Sequence, residues 1–146
     1  MRVVGVDPGE ARIGLAISDE GQTIAFPRET IDARGGLGPS VSLVSQALAD
    51  EHVGVVVVGL PLRLDGTEGE AARRARALGE ALRTGLDVEV IYWDERMTTV
   101  AAERSLREMG RRGSRRREVV DQSAATILLQ GYLDAKTGGP WKDPNG

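Results

Sequence analysis

Residues 2–18, which read RVVGVDPGEARIGLAIS, decide the fold of this chain. Residues 2–7 are dominated by valine, and Pro8-Gly9 supplies turn chemistry directly after them, so the pattern predicts a strand that ends there. In residues 13–18 large and small side chains alternate with a period of two, which predicts a second strand. Because the link between the two strands is short, we expect them to pair antiparallel.

Three more strands are predicted downstream. One covers residues 23–31, after a turn at residues 19–21. Pro27 lies within it and lacks the N–H that a central strand donates, so this strand is predicted at an edge of the sheet. Residues 53–59 are continuously apolar, which is typical of parallel strands covered by helices on both faces. Residues 88–93 predict the fifth strand.

Helical patterns separate and follow the later strands, because apolar residues there recur at spacings of three and four. The second helix has a capping-box signature in Thr67 and Glu70 and a stop at Gly85. The predicted helices cover residues 41–51, 67–85, 98–110 and 119–133.

The order of elements, β-β-β-α-β-α-β-α-α, predicts an α/β fold. Crossovers to parallel strands need helical connectors, so we expect one mixed five-stranded sheet, three antiparallel strands then two parallel ones, flanked by helices. A chain of 146 residues fits one domain, expected over residues 1–136. Residues 137–146 (TGGPWKDPNG) are rich in Gly and Pro and are expected to form a flexible tail.

Composition excludes several kinds of site. The chain has no cysteine and one histidine, His52, which excludes a cysteine nucleophile and a Cys-rich zinc site. Nothing in it requires an oxidising compartment. The longest aliphatic run, residues 55–58, is far too short to span a bilayer. We therefore expect a cytoplasmic protein with no membrane partner.

Positive charge is concentrated in one segment, although the formal net charge is −3. Such a cluster is typical of proteins that bind a phosphate backbone, and the alternative is a solvated loop. Aromatic residues make up only 3% of the chain, which argues against recognition by base stacking. The arginines of the cluster are Arg111, Arg112, Arg115, Arg116 and Arg117.

Carboxylates stand where two of the predicted strands end. Asp7 is either a site residue or a cap of the turn that follows it. Asp94 and Glu95 follow the fifth strand, and alternation sends them to opposite faces, so one of them is expected to face Asp7. Parity leaves open which one. The alternative for Asp94 is a surface ion pair with Arg96.

A third carboxylate, Asp121, interrupts the apolar face of the last predicted helix. A buried charge needs a cation, a capping position or solvent. Asp121 is therefore either a metal ligand or the N-cap of a helix beginning at Gln122, and the two roles are compatible.

Three acids at two strand ends and one helix start suggest a site for Mg²⁺ or Mn²⁺. Carboxylates suit hard divalent ions, and the chain lacks His and Cys ligands for softer ones. Two such ions about 3.5–4 Å apart activate a water and stabilise the leaving oxygen of a phosphodiester. Phosphate chemistry would make the arginine cluster a backbone-binding element.

Four groups of residues occur in an order that resembles the YqgF/RuvX family, bacterial members of the ribonuclease H-like superfamily related to RuvC-type Holliday junction resolvases. The resemblance covers residues 1 to about 136. The groups are residues 5–9 (GVDPG) with 12–19 (RIGLAISD), residues 59–61 (GLP) with 65–67 (DGT), residues 94–96 (DER) with Thr98-Thr99, and Asp121 with Ala124-Ala125 and residues 127–133 (ILLQGYL).

This resemblance implies a ribonuclease H-like fold and metal-dependent phosphodiester hydrolysis. It implies that Asp7, Glu95 and Asp121 are the catalytic and metal-binding acids, and it favours Glu95 over Asp94. One departure concerns the strand at residues 53–59, which ends in Gly-Leu-Pro where other ribonuclease H and RuvC relatives carry an acid. The number of metal ions, one or two, therefore stays open.

The implied substrate is nucleic acid, either the 5′ end of pre-16S ribosomal RNA or branched DNA. Arg12 and Arg96, near two of the acids, are predicted to contact phosphate, and Arg115 and Arg116 to hold more distant backbone. Symmetric cleavage of a four-way junction suggests a homodimer.

Two rival functions belong to other classes. A non-catalytic nucleic-acid-binding module is disfavoured because all three acids are present. An ATP-binding fragment like the actin and sugar-kinase fold is disfavoured by length, because that fold encloses its nucleotide between two such domains and this chain supplies one.

Overall fold

Five strands and three helices make up the part of the chain that the computed structural model describes, residues 1–97 and 123–138. The strands are β1 (Arg2–Pro8), β2 (Arg12–Ser18), β3 (Ala25–Asp32), β4 (Val53–Leu60) and β5 (Glu89–Asp94). The helices are α1 (Leu37–Ala47), α2 (Glu70–Leu86) and α3 (Ala124–Gly138).

All five strands belong to one mixed sheet with the spatial order β3-β2-β1-β4-β5. β2 pairs antiparallel with both β1 and β3, whose connections to it are short. β4 pairs parallel with β1 and β5, because helices carry the chain back to the same end of the sheet before each new strand. The predicted fold class, three antiparallel strands followed by two parallel ones, is confirmed.

The prediction that Pro27 marks an edge strand is also confirmed. β3 is an outer strand of the sheet, and Pro27 lies opposite Ala16 beside a shift in register between Gly14 and Ala16. An outer strand tolerates proline because one side of its backbone has no partner strand.

The two faces of the sheet carry separate layers of core. Val4, Val6 and Leu15 face α1 and α2, whereas Val3 and Ala16 face α3. Side chains alternate along a strand, so β1 sends every second residue toward α3. Asp7 has the parity of Val3 and therefore lies on the α3 face.

The predicted capping box at the start of α2 is wrong. The Thr67 side chain donates to Asp65 Oδ1 at 2.6 Å, and the N-cap is Gly69, which makes no side-chain capping hydrogen bond. A local turn closed by an aspartate competes with capping for the same hydroxyl. Gly85 is not the stop either: it lies inside α2, which ends at Leu86 and is followed by the C-cap residue Asp87 in a left-handed conformation with φ 53°.

The last helix begins at Ala124, five residues after the predicted start at residue 119. Ser123 caps it, because its Oγ accepts a hydrogen bond from the N–H of Thr126 at 3.1 Å. The helix continues to Gly138, so the first two residues of the predicted tail are helical. The predicted helix at residues 98–110 lies outside the described residues.

The predicted domain bounds stay a prediction, because the rest of the tail also falls outside the described residues. None of the helices within residues 1–97 and 123–138 is long and apolar enough to cross a membrane.

Candidate active site

The carboxyl ends of β1 and β5 bring Asp7 and Glu95 together. Asp7 is near the end of β1, opposite Gly14 of β2, and Glu95 directly follows β5. The two side chains are hydrogen-bonded to each other, with the protonated Glu95 carboxyl as the donor and the Asp7 carboxylate as the acceptor. Parallel strands end at the same edge of a sheet, and residues 88 positions apart in the sequence meet there for this reason.

Both carboxyl groups of this pair hold a proton more tightly than usual. Burial raises the pKa of Asp7, although the hydrogen bond from Glu95 opposes this effect. Burial, followed by the charge of Asp7 and the hydrogen bond to it, raises the pKa of Glu95 to about 7. Two half-buried carboxylates in contact cannot both ionise without repulsion, so they share a proton near neutral pH.

Gly59, in β4, provides the space that Glu95 occupies. A Cβ atom at position 59 would lie 2.5 Å from Glu95 Oε1 and 2.7 Å from a methyl group of Leu128. The Glu95 side chain therefore lies over β4, the strand between β5 and β1, on its way to Asp7. Sequence reasoning missed this role of Gly59. The available signal was a glycine that closes a run of four valines in a buried strand.

Asp94 lies on the opposite face and pairs with its neighbour. Arg96 Nη2 donates to Asp94 Oδ2 at 2.7 Å, and Arg96 Nε donates to the same carboxylate at 3.0 Å. This guanidinium holds the pKa of Asp94 below its usual value. Glu95, and not Asp94, is thus the acid that faces Asp7, and the surface ion pair considered for Asp94 is present.

Of the arginines predicted to bind nucleic acid, the structure describes two, Arg12 and Arg96, and they lie at different strands. Arg12 is exposed at the start of β2, one strand away from Asp7. Arg96 is engaged with Asp94, and its Nη1 also donates to the carbonyl oxygen of Leu64 at 3.4 Å. Arg115, Arg116 and the rest of the arginine cluster lie outside the described residues.

The third predicted acid, Asp121, also lies outside the described residues. Within residues 1–97 and 123–138, no group of three or more potential ligands could hold a metal ion. Asp7 and Glu95 supply two converging carboxylates at a half-buried position, and a divalent cation can take the place of the proton they share. The described residues therefore fit part of a Mg²⁺ or Mn²⁺ site.

Comparison with known proteins identifies the family. A family model described as RuvX, Holliday junction resolvase, matches residues 1–135. This chain belongs to the RuvX family. The resemblance drawn from the sequence motifs is confirmed, and the match includes the strand ends that carry Asp7 and Glu95 as well as the position of Asp121.

Close relatives of this RuvX family member carry the name "Putative pre-16S rRNA nuclease". The protein from Acetivibrio thermocellus is 44% identical over 137 residues, which cover 93% of this chain and 97% of the relative. The protein from Pelotomaculum thermopropionicum is 40% identical over 146 residues, which cover 100% of this chain and 94% of the relative.

Solved structures show the same fold. RuvC from Thermus thermophilus, in complex with a Holliday junction substrate, matches with a TM-score of 0.63 and 18% identity, over 94% of this chain and 97% of that one. At this identity the likeness concerns the fold alone, which is ribonuclease H-like as the motifs implied.

Proposed function

We propose that this RuvX family member is a divalent-metal-dependent endonuclease that hydrolyses phosphodiester bonds in structured nucleic acid. The observation that carries the proposal is the Asp7–Glu95 pair, two carboxylates that meet at the ends of parallel strands, with Glu95 packed over Gly59. Such a pair is costly without a cation between its members. Nuclease is also the activity in the name of the relatives that match nearly the whole chain.

Asp7 and Glu95, together with Asp121, are the residues that would hold Mg²⁺ or Mn²⁺. When bound, the metal lowers the pKa of a water molecule and stabilises charge on the phosphoryl oxygens. The chain's own contribution is positional: β1 fixes Asp7, and the packing of Glu95 over Gly59 fixes the second carboxylate against it. Rigid strand ends hold ligands within the tolerance that catalysis needs.

Arginines on both sides of the acid pair are proposed to bind the phosphate backbone. Arg12 lies toward β2 and Arg96 toward β5. Arg96 is paired with Asp94, which points to the opposite face of the sheet, so its proposed contact with a phosphate requires the guanidinium to leave this carboxylate. Arg115 and Arg116 would hold backbone at a greater distance from the acids. These contacts position the nucleic acid without reading its sequence.

Two substrates fit the proposal, and different observations favour them. The name of the curated relatives favours the 5′ end of pre-16S ribosomal RNA. The description of the family model favours a four-way DNA junction, for which we also propose a homodimer. Both substrates place the activity in the cytoplasm.

The decisive experiment incubates the purified chain with a four-way DNA junction and with a single-stranded pre-16S rRNA leader fragment, each in Mg²⁺, Mn²⁺ or EDTA. Cleavage of one substrate that requires the metal supports the proposal. Asp7→Asn, Glu95→Gln and Asp121→Asn keep side-chain size and remove a charge, so each should lower the rate more than about tenfold, which is roughly 1.4 kcal/mol of barrier.

The rival functions have distinct outcomes in the same experiment. Binding of either nucleic acid without cleavage in any metal, unchanged in all three variants, would indicate a non-catalytic module. Turnover of ATP in the absence of nucleic acid would indicate the kinase-like alternative.

A further inference from the structure

A polar cavity is formed by the start of β2 and the end of β3, at the end of the sheet where β1 also ends. Its volume is about 400 Å³. It combines two guanidinium groups, a hydroxyl and a carboxylate. The lining residues are Ala11, Arg12, Thr30, Ile31, Asp32 and Arg34.

The polar side chains of this cavity lie on the same face of the sheet as Asp7. Ile13 and Ile31 belong to the core under α1 and α2, so alternation turns Arg12, Thr30 and Asp32 toward the opposite face, that of α3. The register confirms the alignment, because Arg12 pairs with Asp32 across β2 and β3. The cavity and the acid pair therefore share one face and one end of the sheet.

Gly14 stands between the cavity and Asp7. It is opposite Asp7 on one side and opposite Thr30 on the other, so the cross-strand row reads Asp7, Gly14, Thr30. Because Gly14 has no side chain, nothing from β2 rises between the two positions. Ala125 of α3 packs over Gly14, since a Cβ there would be 3.5 Å from the Ala125 Cβ. Because the buried Ala125 fills the space above Gly14, a ligand that joins Asp7 to the cavity passes beyond the end of the sheet, beside the first turn of α3.

The cavity carries a surplus of positive charge. Arg34 Nε and Nη2 each donate to Asp32 at 3.0 Å, and this bidentate pair neutralises one guanidinium. Arg12 forms no ion pair with any carboxylate of the described residues, although it lies close enough to contribute to the low pKa of Asp32. Two arginines and one aspartate leave one net positive charge, which matches one phosphodiester group.

We propose that the cavity of Arg12, Thr30 and Arg34 binds a backbone phosphate of the same nucleic acid whose scissile phosphate lies at Asp7 and Glu95. The inference rests on the proposed nuclease function. It adds Thr30 and Arg34 to the binding surface. It also implies that the nucleic-acid strand runs from the acid pair across the end of β2 to the end of β3. Asp32 occupies the Nε and Nη2 edge of Arg34 and orients the guanidinium. Of the five N–H donors of this group, those on Nη1 and the second one on Nη2 stay available for a phosphate oxygen.

The spacing of the strands also limits which phosphate can be bound. Thr30 lies two strands from Asp7, and adjacent strands are 4.7–4.9 Å apart, so the two positions are separated by about 10 Å. The axial rise of a stacked strand is about 3.4 Å per nucleotide, but the backbone also winds around the axis, so successive phosphates are about twice this distance apart. The phosphate in the cavity is therefore one or two steps from the scissile bond.

The first test compares Arg12→Gln/Arg34→Gln with Arg73→Gln, which removes an exposed arginine of α2 on the opposite face of the sheet. The probes are a fluorescein-labelled four-way DNA junction and the pre-16S rRNA leader fragment, titrated in EDTA at several salt concentrations. The double variant should bind the cleaved substrate about tenfold more weakly at low salt. Its slope of log K against log salt should be flatter by about 0.7–0.9 for the one phosphate lost. Arg73→Gln should match the unmodified chain.

The second test replaces single phosphates of the cleaved substrate by neutral methylphosphonates. A replacement one or two steps from the cleavage point should weaken binding to the unmodified chain and have no further effect on the double variant. Asp32→Asn tests whether the ligand of the cavity is an anion. The asparagine keeps an acceptor for Arg34 but removes the negative charge that would repel a phosphate, so this variant should bind the nucleic acid more tightly. Weaker or unchanged binding of Asp32→Asn would contradict an anion at this position.

The two proposals fail in different ways. If the unmodified chain cleaves neither probe in any metal, the proposed function is wrong. If it cleaves one of them, but the Arg12 and Arg34 double variant binds like Arg73→Gln and no methylphosphonate position is sensitive, the nuclease function stands and the phosphate site in the cavity is wrong.

Discussion

Glu95 Oε1 lies in the space that a side chain at position 59 would fill. A Cβ atom on Gly59 would be 2.5 Å from this oxygen, closer than unstrained atoms approach. The carboxylate that follows β5 therefore reaches Asp7 only because β4 has a glycine at this point. Gly59 is a positioning residue for the acid pair, although it has no functional group of its own.

Gly59→Ala is expected to abolish most of the proposed nuclease activity while the fold remains. The added methyl group would displace the Glu95 carboxylate and press on Leu128, so the two carboxylates would no longer meet. We expect a loss of cleavage of at least about tenfold, equivalent to roughly 1.4 kcal/mol. The measurement is a cleavage rate in Mg²⁺ and Mn²⁺, with circular dichroism to confirm that the variant is folded.

Gly38→Ala is the matched control for this substitution. A Cβ at Gly38 would have no atom within 4 Å, and the residue lies in α1, far along the chain from either acid. It should retain full cleavage. Full activity of Gly59→Ala would show that the contact with Gly59 does not position Glu95.

Asp94→Asn should retain cleavage, in contrast to Glu95→Gln. Asp94 is paired with Arg96 on the other face of the sheet, and this partly exposed pair contributes at most about 1 kcal/mol to stability. We expect the rate of Asp94→Asn to stay within about threefold of the unmodified chain. Parallel kinetics of the two variants provide the check, and the reverse order of activities would assign the catalytic position to Asp94.

The stability of the metal-free protein should fall as the pH rises. The pKa of Glu95 is raised in the folded state, from its usual 4.5 to about 7, so folding is favoured while the group is protonated. This stability is fully present below about pH 4.5 and is lost as the pH rises through about 7. Glu95→Gln removes the titration and should therefore melt at a higher temperature than the unmodified chain at pH 8, but not at pH 4.5.

Thermal unfolding in EDTA at the two pH values provides the comparison. Addition of Mg²⁺ or Mn²⁺ at pH 8 should stabilise the unmodified chain and have little effect on Glu95→Gln, because a ligand stabilises only the form that binds it. Identical melting temperatures of the two proteins in EDTA at pH 8 would show that the carboxylates do not destabilise each other.

The arginine cluster at residues 111–117 should bind phosphate backbone without base selectivity. Each phosphate neutralised changes the slope of log K against log salt by about −0.9 on duplex DNA or −0.7 on single strands. Replacement of Arg115, Arg116 and Arg117 together by alanine should therefore flatten the slope by roughly two to three units and weaken binding equally for unrelated sequences. Titrations at several salt concentrations test this. An unchanged slope would assign the cluster to a solvated loop.

Much of the fold was predictable because its signals are local. The valine-rich segment at residues 2–7, the alternation in residues 13–18 and the apolar run at residues 53–59 each fix a strand by short-range periodicity. Pro27 identified an outer strand because a residue without a backbone N–H cannot complete the hydrogen bonds of a central strand in any sheet. Helix ends were less predictable: Thr67 bonds to Asp65 rather than capping α2, and α3 begins at Ala124 with Ser123 as its cap.

The sequence by itself determined which residue types stand at the strand ends, and its motifs favoured Glu95 over Asp94 in the acid pair. Only the tertiary structure decided where the Glu95 carboxylate goes. Alternation puts Asp94 and Glu95 on opposite faces, but the face that meets Asp7 depends on how β5 packs against β4 and which core it joins. Contacts between residues distant in the sequence, Glu95 with Asp7 and with Gly59, arise from strand order and register, which no local pattern specifies.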